Sequence, residues 1–340
     1  MKTKVAVILL MLGICVCIIG GHRDLASAGP IQIRFAHFMP GGDYWLNRLA
    51  VEIGTRLEKE TDGKVSFRYF PANTLVSAPA GYEGTVKGIC DIYYFVIGYA
   101  PGRFPKTEVL DLPPYLPRGI DATTVSWKLY KKYLENEWKE VKVLSIHTQP
   151  PQYVLSKVPI HSLNDLKGLR IRASGVGSKV ALALGANPIS MPYSEVFEGL
   201  QKGILTGILA PFQGTKGTHF TEITKYIVDY PCYAMSFAVI MNLKKYNSLP
   251  PDIQKSFDDV GEWFVMRGAE IHDEAQAEGK KYAITKNSVI TLSPQESKKW
   301  QNAIDSVAEK WAREKEEKGL PGKELVHARY ELCKPYLKVR

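Results

Sequence analysis

The stretch that most constrains this chain is Leu166 to Pro211, LKGLRIRASGVGSKVALALGANPISMPYSEVFEGLQKGILTGILAP. It reads as strand, turn, helix, strand, turn, helix, strand. Leu169 to Ala173 forms a short strand, and Ser174, Gly175 and Gly177 make a tight turn. Ser178 to Leu184 is a helix stopped by Gly185, a residue type that ends helices because it tolerates the left-handed conformation. Asn187-Pro188 leads into a second strand, Ile189 to Met191; Ser194 caps a helix running to Lys202-Gly203, and Ile204 to Leu209 is the third strand. This βαβαβ order requires a parallel sheet with crossover helices, whose binding site lies at the carboxyl ends of the strands.

Alternation along the first strand places Arg170 and Arg172 on one face and Ile171 on the other. A guanidinium at a strand end, beside a glycine turn and a helix N-terminus, suits a carboxylate through bidentate donors and partial positive charge. Spacing alone also allows both arginines to be a solvated edge or members of structural ion pairs.

The run Asp165 to Arg172 (DLKGLRIR) and the run Leu184 to Gly203 (LGANPISMPYSEVFEGLQKG) closely resemble the solute-binding proteins of tripartite ATP-independent periplasmic (TRAP) transporters. Gly88 to Ile92 (GICDI), Pro101 to Pro105 (PGRFP) and Asp111 to Pro113 (DLP) resemble the same family in the same order. The likeness covers essentially the whole secreted chain. It implies an α/β, two-lobed periplasmic-binding-protein-like fold of type II, its lobes joined by crossing strands and a long spanning helix. It also implies capture of an organic acid and delivery to small and large membrane subunits.

With 340 residues the chain has room for two domains. Lys2 and Lys4, the apolar run Val5 to Ile19 and the Ala26-Ser27-Ala28 ending make residues 1–28 a secretory signal peptide; a retained anchor is the alternative. Cys15 and Cys17 follow Ile14 and Val16 rather than the small residue that lipidation requires. Cleavage places the protein in the periplasm. Losing Lys2, Lys4, Arg23 and Asp24 lowers the formal charge of +9 by two. Export and the even spread of Lys and Arg argue against nucleic acid as a partner. Cys90, Cys232 and Cys333 are too few and too widely spaced for a disulfide framework, so buried thiols are expected.

Along the mature chain, strand and helix alternate, which fixes the class as α/β. Ile31 to His37 is a strand; Asp43 caps a helix with Leu46, Leu49, Ala50, Ile53 and Leu57 on one face, stopped near Gly63; and Val65 to Tyr69 is a strand ended by Pro71. A short helix reaches Lys87, Ile89 to Phe95 is a strand, Asp121 opens a helix, and Val141 to His147 is the next strand. The chain changes character at residues 148–152 and again around Ala234 to Asn242, which the resemblance makes the crossings between lobes. One lobe is then 29–149 with about 238–277, and the other 150–237 with about 278–340. Asp252 to about Ala283 is one long helix, and Ser293-Pro294-Gln295-Glu296 is a capping box opening a charged helix that ends by Gly319.

No H-E-x-x-H, C-x-x-C, P-loop or G-x-S-x-G occurs. Gly175-x-Gly177 after a strand, with Glu195 some 20 residues on, imitates a dinucleotide fingerprint, but Val180 replaces the third glycine. No enzyme activity and no cofactor are expected. The resemblance puts the family's carboxylate-binding arginine at Arg172. Where sialic-acid-type members have a second arginine before K-x-P, this chain has Gln152, and the family's D-G-x-E-N-P reads Thr206 to Pro211, with Ala210 for asparagine. Leu209-Ala210 also lacks the acidic-aromatic pair of metal-holding relatives, so no metal is expected.

The remaining candidates are Tyr93, Tyr94, Phe95, Tyr99, Phe212 and Tyr233 with Gln213, and more weakly Trp45 and His37; for each aromatic, core packing is the competing role. One arginine amid apolar and aromatic groups suggests a monocarboxylate with an apolar or aromatic body. A secreted sensory module of the same fold, presenting ligand to a signalling receptor, is the alternative from another functional class.

Overall fold

A computed structural model describes residues 29–39 and 45–337. The signal peptide and the Asp43 cap lie outside the described residues. The strands are β1 (Ile31–Ala36), β2 (Val65–Phe70), β3 (Ile92–Val96), β4 (Val141–Thr148), β5 (Gln152–Ser156), β6 (Arg170–Arg172), β7 (Asn187–Ile189), β8 (Gly207–Ala210), β9 (Tyr226–Tyr233), β10 (Ser236–Asn242) and β11 (Ser288–Ile290). The helices are α1 (Trp45–Glu60), α2 (Gly81–Val86), α3 (Gly119–Leu129), α4 (Leu163–Leu166), α5 (Val176–Ala183), α6 (Val196–Gln201), α7 (Thr215–Thr218), α8 (Phe220–Ile223), α9 (Leu243–Asn247), α10 (Pro251–Lys286), α11 (Pro294–Glu316) and α12 (Gly322–Leu337).

Two sheets form, ordered β2-β1-β3-β10-β4 and β11-β9-β5-β8-β6-β7. The run at 166–211 makes the parallel set β7-β6-β8, with α5 and α6 as crossovers. The chain passes between sheets three times, through residues 149–151 from β4 to β5, through Ala234-Met235 from β9 to β10, and along α10 from β10 to β11. The Gln149 amide donates to the Met235 carbonyl at 3.1 Å, so the first two crossings are bonded side by side.

Helix α10 spans both sheets because its 36 residues extend about 54 Å at 1.5 Å per residue. Two of its glycines let it lie directly on backbone. A Cβ on Gly261 would sit 2.5 Å from the Leu144 carbonyl oxygen of β4, and one on Gly279 would nearly coincide with the Phe212 carbonyl of the second half. The buried face carries Ile253, Phe257, Val260, Phe264 and Ile271.

Several local expectations shift. Helix α3 opens at Gly119, two residues before Asp121, because Asp273 of α10 accepts from the Gly119 and Ile120 amides at 2.6 and 3.1 Å and so caps the helix from outside its own sequence. Asp121 pairs with Arg118 instead. A 3₁₀ turn, Tyr193–Glu195, precedes α6, and Ser194 makes no side-chain cap. Strand β7 begins at Asn187, since β6 pairs residue for residue with 187–189. Strand β3 begins at Ile92 rather than Ile89, the intervening residues being bent around the Arg34–Asp91 pair. Helix α5 starts at Val176, ahead of Ser178. At Ser293 only half of the capping box forms: Ser293 Oγ accepts from the Glu296 amide, while Glu296 Oε2 accepts from the Leu163 amide of α4. Helix α12 was not anticipated. It docks by Arg329, which is buried and donates to the Leu112 carbonyl at 2.7 Å. Cys90, Cys232 and Cys333 are free and buried.

Asp111 ties down the second crossing. Its Oδ2 accepts from Tyr233 Oη at 2.9 Å and its Oδ1 from the Ser236 amide at 2.8 Å, one on each side of Ala234-Met235. Burial pushes this carboxyl up to about 7 against the opposing pull of these donors and of Arg329. A carboxyl raised in the folded state favours folding while protonated, and that contribution is lost as pH rises from about 4 through about 7. Over that window, stability should fall by up to about 1.4 kcal/mol per pH unit from this group. Denaturant titrations at pH 4.5, 6 and 7.5 should show the slope in the native chain and a flatter profile in Asp111→Asn; identical profiles would refute the assignment.

Candidate functional site

Arg172 ends β6 with its side chain 2 % exposed. Ile171, on the opposite face, enters the core, so strand alternation sets the face of the guanidinium, and its place as the last residue of β6 puts it at the carboxyl end of the strand. Its Nε and Nη2 donate to the Met191 carbonyl at 3.1 and 2.9 Å, and Nη2 also donates to Tyr99 Oη at 3.0 Å. The guanidinium lies 5.4 Å from the Tyr193 ring centroid. Among the described residues no carboxylate lies within ion-pair distance of it, whereas Arg34 and Arg267 have theirs; Arg329, equally buried, has none either and donates to the Leu112 and Pro114 carbonyls. Burying a cation without a counter-charge is costly. Carbonyl and hydroxyl acceptors orient Arg172 without neutralising it.

Arg172 lines a narrow cavity of about 40 Å³ between the two sheets. Of the residues singled out in the sequence, Gln152, Gln213, Tyr99 and Trp45 join it there. Gln152 begins β5, one position past the Tyr153–Ala210 pairing, which puts it at the same end of the sheet as Arg172. Its amide has no hydrogen-bond partner among the described residues. Gln213 is bonded to Gln149 and to His272, at 2.7 and 2.8 Å.

The other sequence candidates do not line this cavity. On β3, Tyr93 and Phe95 point to the far face, where Tyr93 covers Gly81 and Phe95 packs on Tyr82. Tyr94, on the near face, stands behind the lining, its hydroxyl bonded to His147 Nε2 at 2.7 Å and His272 Nε2 at 3.0 Å. Tyr233 is turned away onto Gly177 and Asp111. Ala210 and Phe212 belong to the core of the second sheet, with the Phe212 ring tilted against Tyr153 at 4.6 Å, and it is Pro211 between them that reaches the cavity. His37 is buried outside it, and burial holds its imidazole down at about 4.

The lining residues not foreseen are Phe38, Met39, Val96, Gln149, Tyr193, Pro211, Met235 and Phe237. Two signals were available for them. Val96 shares the face of Tyr94 by alternation, and Tyr193 and Gln149 stand inside the singled-out runs at 184–203 and 148–152. Among the described residues the lining holds no carboxylate, and no three His, Cys, Asp or Glu side chains gather as a metal site. Burial keeps both histidines behind the lining neutral, His147 at about 3 and His272 well below its ordinary value.

A wider cavity of about 540 Å³ adjoins at Tyr99 and runs past Gly98 and Gly175. These glycines bring the two halves into backbone contact: a Cβ on Gly175 would lie 2.9 Å from Gly98 Cα. Gly175 also has φ +55 and ψ −134, a conformation that disfavours any side chain. Gly175→Ala should therefore destabilise the protein by about 1–3 kcal/mol. Gly98→Ala meets its neighbour at 3.3 Å with no such backbone cost, and should destabilise less. Urea titration of both variants checks the order, and a larger effect at Gly98 would contradict it.

Comparison with known proteins adds three kinds of likeness. Residues 35–315 match the family described as bacterial extracellular solute-binding protein, family 7. The chain is similar to a TRAP periplasmic solute-binding protein from Desulfovibrio salexigens DSM2638, crystallised as an open complex, at 32% identity and TM-score 0.78 over 91% of this chain and 97% of that one. It is also similar to a TRAP solute-binding protein from Rhodoferax ferrireducens T118, in complex with copurified benzoate, at 25% identity and TM-score 0.84 over 91% and 99%. Among curated proteins, the C4-dicarboxylate-binding periplasmic protein DctP of Vibrio cholerae is 24% identical over 293 residues, 84% of this chain and 88% of that protein.

Proposed function

The chain belongs to family 7 of the bacterial extracellular solute-binding proteins, the solute-binding components of TRAP transporters, and from that premise we propose that it captures a monocarboxylate with an apolar or aromatic body through Arg172 and delivers it to the transporter's membrane subunits. The observation that carries this reading is the buried guanidinium with no carboxylate partner among the described residues, facing a cavity lined otherwise by aromatic, aliphatic and neutral amide groups. An incoming carboxylate supplies the missing charge. Among the described residues the lining has no second cation for a second carboxylate, and Gln152 stands in it at the position where the resemblance to sialic-acid-type members would put a second arginine. The benzoate complex of the Rhodoferax relative supports an aromatic body; the Vibrio relative's C4-dicarboxylate would leave one carboxylate in this cavity without a cationic partner.

Capture follows from the architecture. We take 29–149 with about 238–277 as one lobe and 150–237 with about 278–340 as the other, hinged where residues 149–151 and Ala234-Met235 run side by side. The acid docks on Arg172 in the open form, and the lobes close until Gly98 meets Gly175. Closure excludes water and strengthens the guanidinium–carboxylate attraction by lowering the local dielectric. The membrane subunits then receive the closed form, and the solute leaves chemically unchanged.

Thermal-shift measurements with a panel of mono- and dicarboxylates test the reading. A ligand at 100 times its Kd stabilises the native state by roughly 2.7 kcal/mol, so monocarboxylates with aromatic bodies should raise Tm and succinate should not. Arg172→Ala should abolish the shift and Gln152→Ala should reduce it. A shift that survives Arg172→Ala, or one given by dicarboxylates alone, would overturn the assignment.

A further inference from the structure

The cavity that Arg172 lines has no room for the body of an aromatic acid. Its volume is about 40 Å³, whereas a single benzene ring occupies a cavity on the order of 150 Å³. Part of the lining therefore has to move when such an acid enters.

Tyr99 is the part that stands in the acid's place. Arg172 Nε and Nη2 share the Met191 carbonyl, so that edge of the planar guanidinium is occupied. A carboxylate is left the other edge, Nη1 with Nη2, and there Nη2 already donates to Tyr99 Oη at 3.0 Å. Nη1 makes no hydrogen bond among the described residues, yet it is not sealed off as Arg329 Nη1 is. The hydroxyl arrives from the opposite sheet. Tyr99 closes the 3₁₀ turn Ile97–Tyr99 that follows β3, and its half-buried ring sits edge-on to Phe38 at 5.8 Å.

Both partners of the guanidinium, Tyr99 and Met191, are also walls of the adjoining cavity of about 540 Å³. Turning the Tyr99 side chain aside joins the two spaces. Ile97, Phe104, Val176 and Pro192 face the wide cavity, and its charged members are engaged with partners of their own. Glu108 pairs with Lys315 at 2.8 Å, Lys179 pairs with Glu314 at 2.9 Å, and Asp111 holds Tyr233 and the Ser236 amide. The other outlet from the narrow cavity opens at Trp45 and Gln213, the latter fastened to Gln149 and His272, and its walls carry Arg48, Lys216, Glu274, Glu278 and Lys281. An apolar body suits the first outlet and not the second.

We propose that the solute's carboxylate takes the place of the Tyr99 hydroxyl on Arg172, and that the displaced side chain opens the acid pocket into the 540 Å³ cavity, which receives the body. The inference rests on Arg172 being the acid's anchor. It deepens that reading from a monocarboxylate with an apolar or aromatic body to an arylalkanoic acid, whose chain carries the ring past Tyr99. In the empty protein the hydroxyl is a ligand of the protein's own making, and every acid competes with it.

Calorimetric titration of the full mature chain with benzoate, phenylacetate, 3-phenylpropanoate and 4-phenylbutanoate tests this. Each methylene that enters the wide cavity should tighten binding roughly fourfold, so the longer acids should surpass benzoate by tenfold or more. Tyr99→Phe keeps the ring and removes the competing hydroxyl; it should tighten every acid by roughly tenfold, the worth of one hydrogen bond to a charged group. Ser178→Phe and Ala100→Phe narrow the wide cavity from opposite walls, and each should erase the advantage of the longer acids over benzoate. Unchanged ligand-free Tm values show that the variants fold. If acids bind through Arg172 but the longer ones gain nothing, or Tyr99→Phe leaves binding unchanged or weaker, or the advantage survives both cavity-filling variants, the inference falls while the acid-binding function stands. If no acid binds the native chain, or binding survives Arg172→Ala, both fall together.

Discussion

The arrangement that everything else serves is a guanidinium buried between two sheets with acceptors for its hydrogen bonds and no anion among the described residues for its charge. Met191 and Tyr99 fix the direction of Arg172 without neutralising it. Such a group is an energetic liability that a fold retains only where it is held rigidly, and it is held by its neighbours in the sheet. Arg172 sits in a three-residue strand flanked by parallel partners on both sides, with Ile171 anchored in the core beneath it. The proposed carboxylate would convert that liability into binding energy.

The scaffold around it is built to let two halves approach closely while staying attached. Three devices do this, and each works at the level of backbone. Paired crossings run side by side, bonded from Gln149 to Met235 and clasped by Asp111. Helix α10 lies along both sheets, using Gly261 and Gly279 to rest on carbonyl groups. Gly98 and Gly175 meet face to face beside the cavity. Side chains at any of those glycines would hold the elements apart by the width of a methyl group, so the close contacts and the narrow cavity are one property.

Polar groups behind the cavity are organised by the same economy. Tyr94, His147 and His272 come from β3, β4 and α10, segments far apart in sequence, and burial keeps both imidazoles neutral. Neutral imidazoles have one donor and one acceptor each, and both turn Nε2 to the Tyr94 hydroxyl.

The sequence by itself determined the alternation of elements, the parallel set at 166–211, the long helix and the side of β6 on which Arg172 stands. Each of these follows from local periodicity, from glycine stop signals or from the strand's period of two, and a single segment carries all the information. It also carried Gln152 and Gln213 to the cavity, through the resemblance of the surrounding motifs. Tertiary structure decided the rest. Whether Tyr93 or Tyr94 faces inward, whether Tyr233 is spent on Asp111, and whether Phe212 or Pro211 reaches the cavity all depend on which distant element covers each face. Asp273 capping α3 and Glu296 capping α4 were illegible for the same reason: a hydrogen-bond partner 133 or more residues away leaves no local pattern. Burial, the quantity that sets the protonation of His147, His272 and Asp111, belongs to the packed whole and exists only after the chain has closed around them.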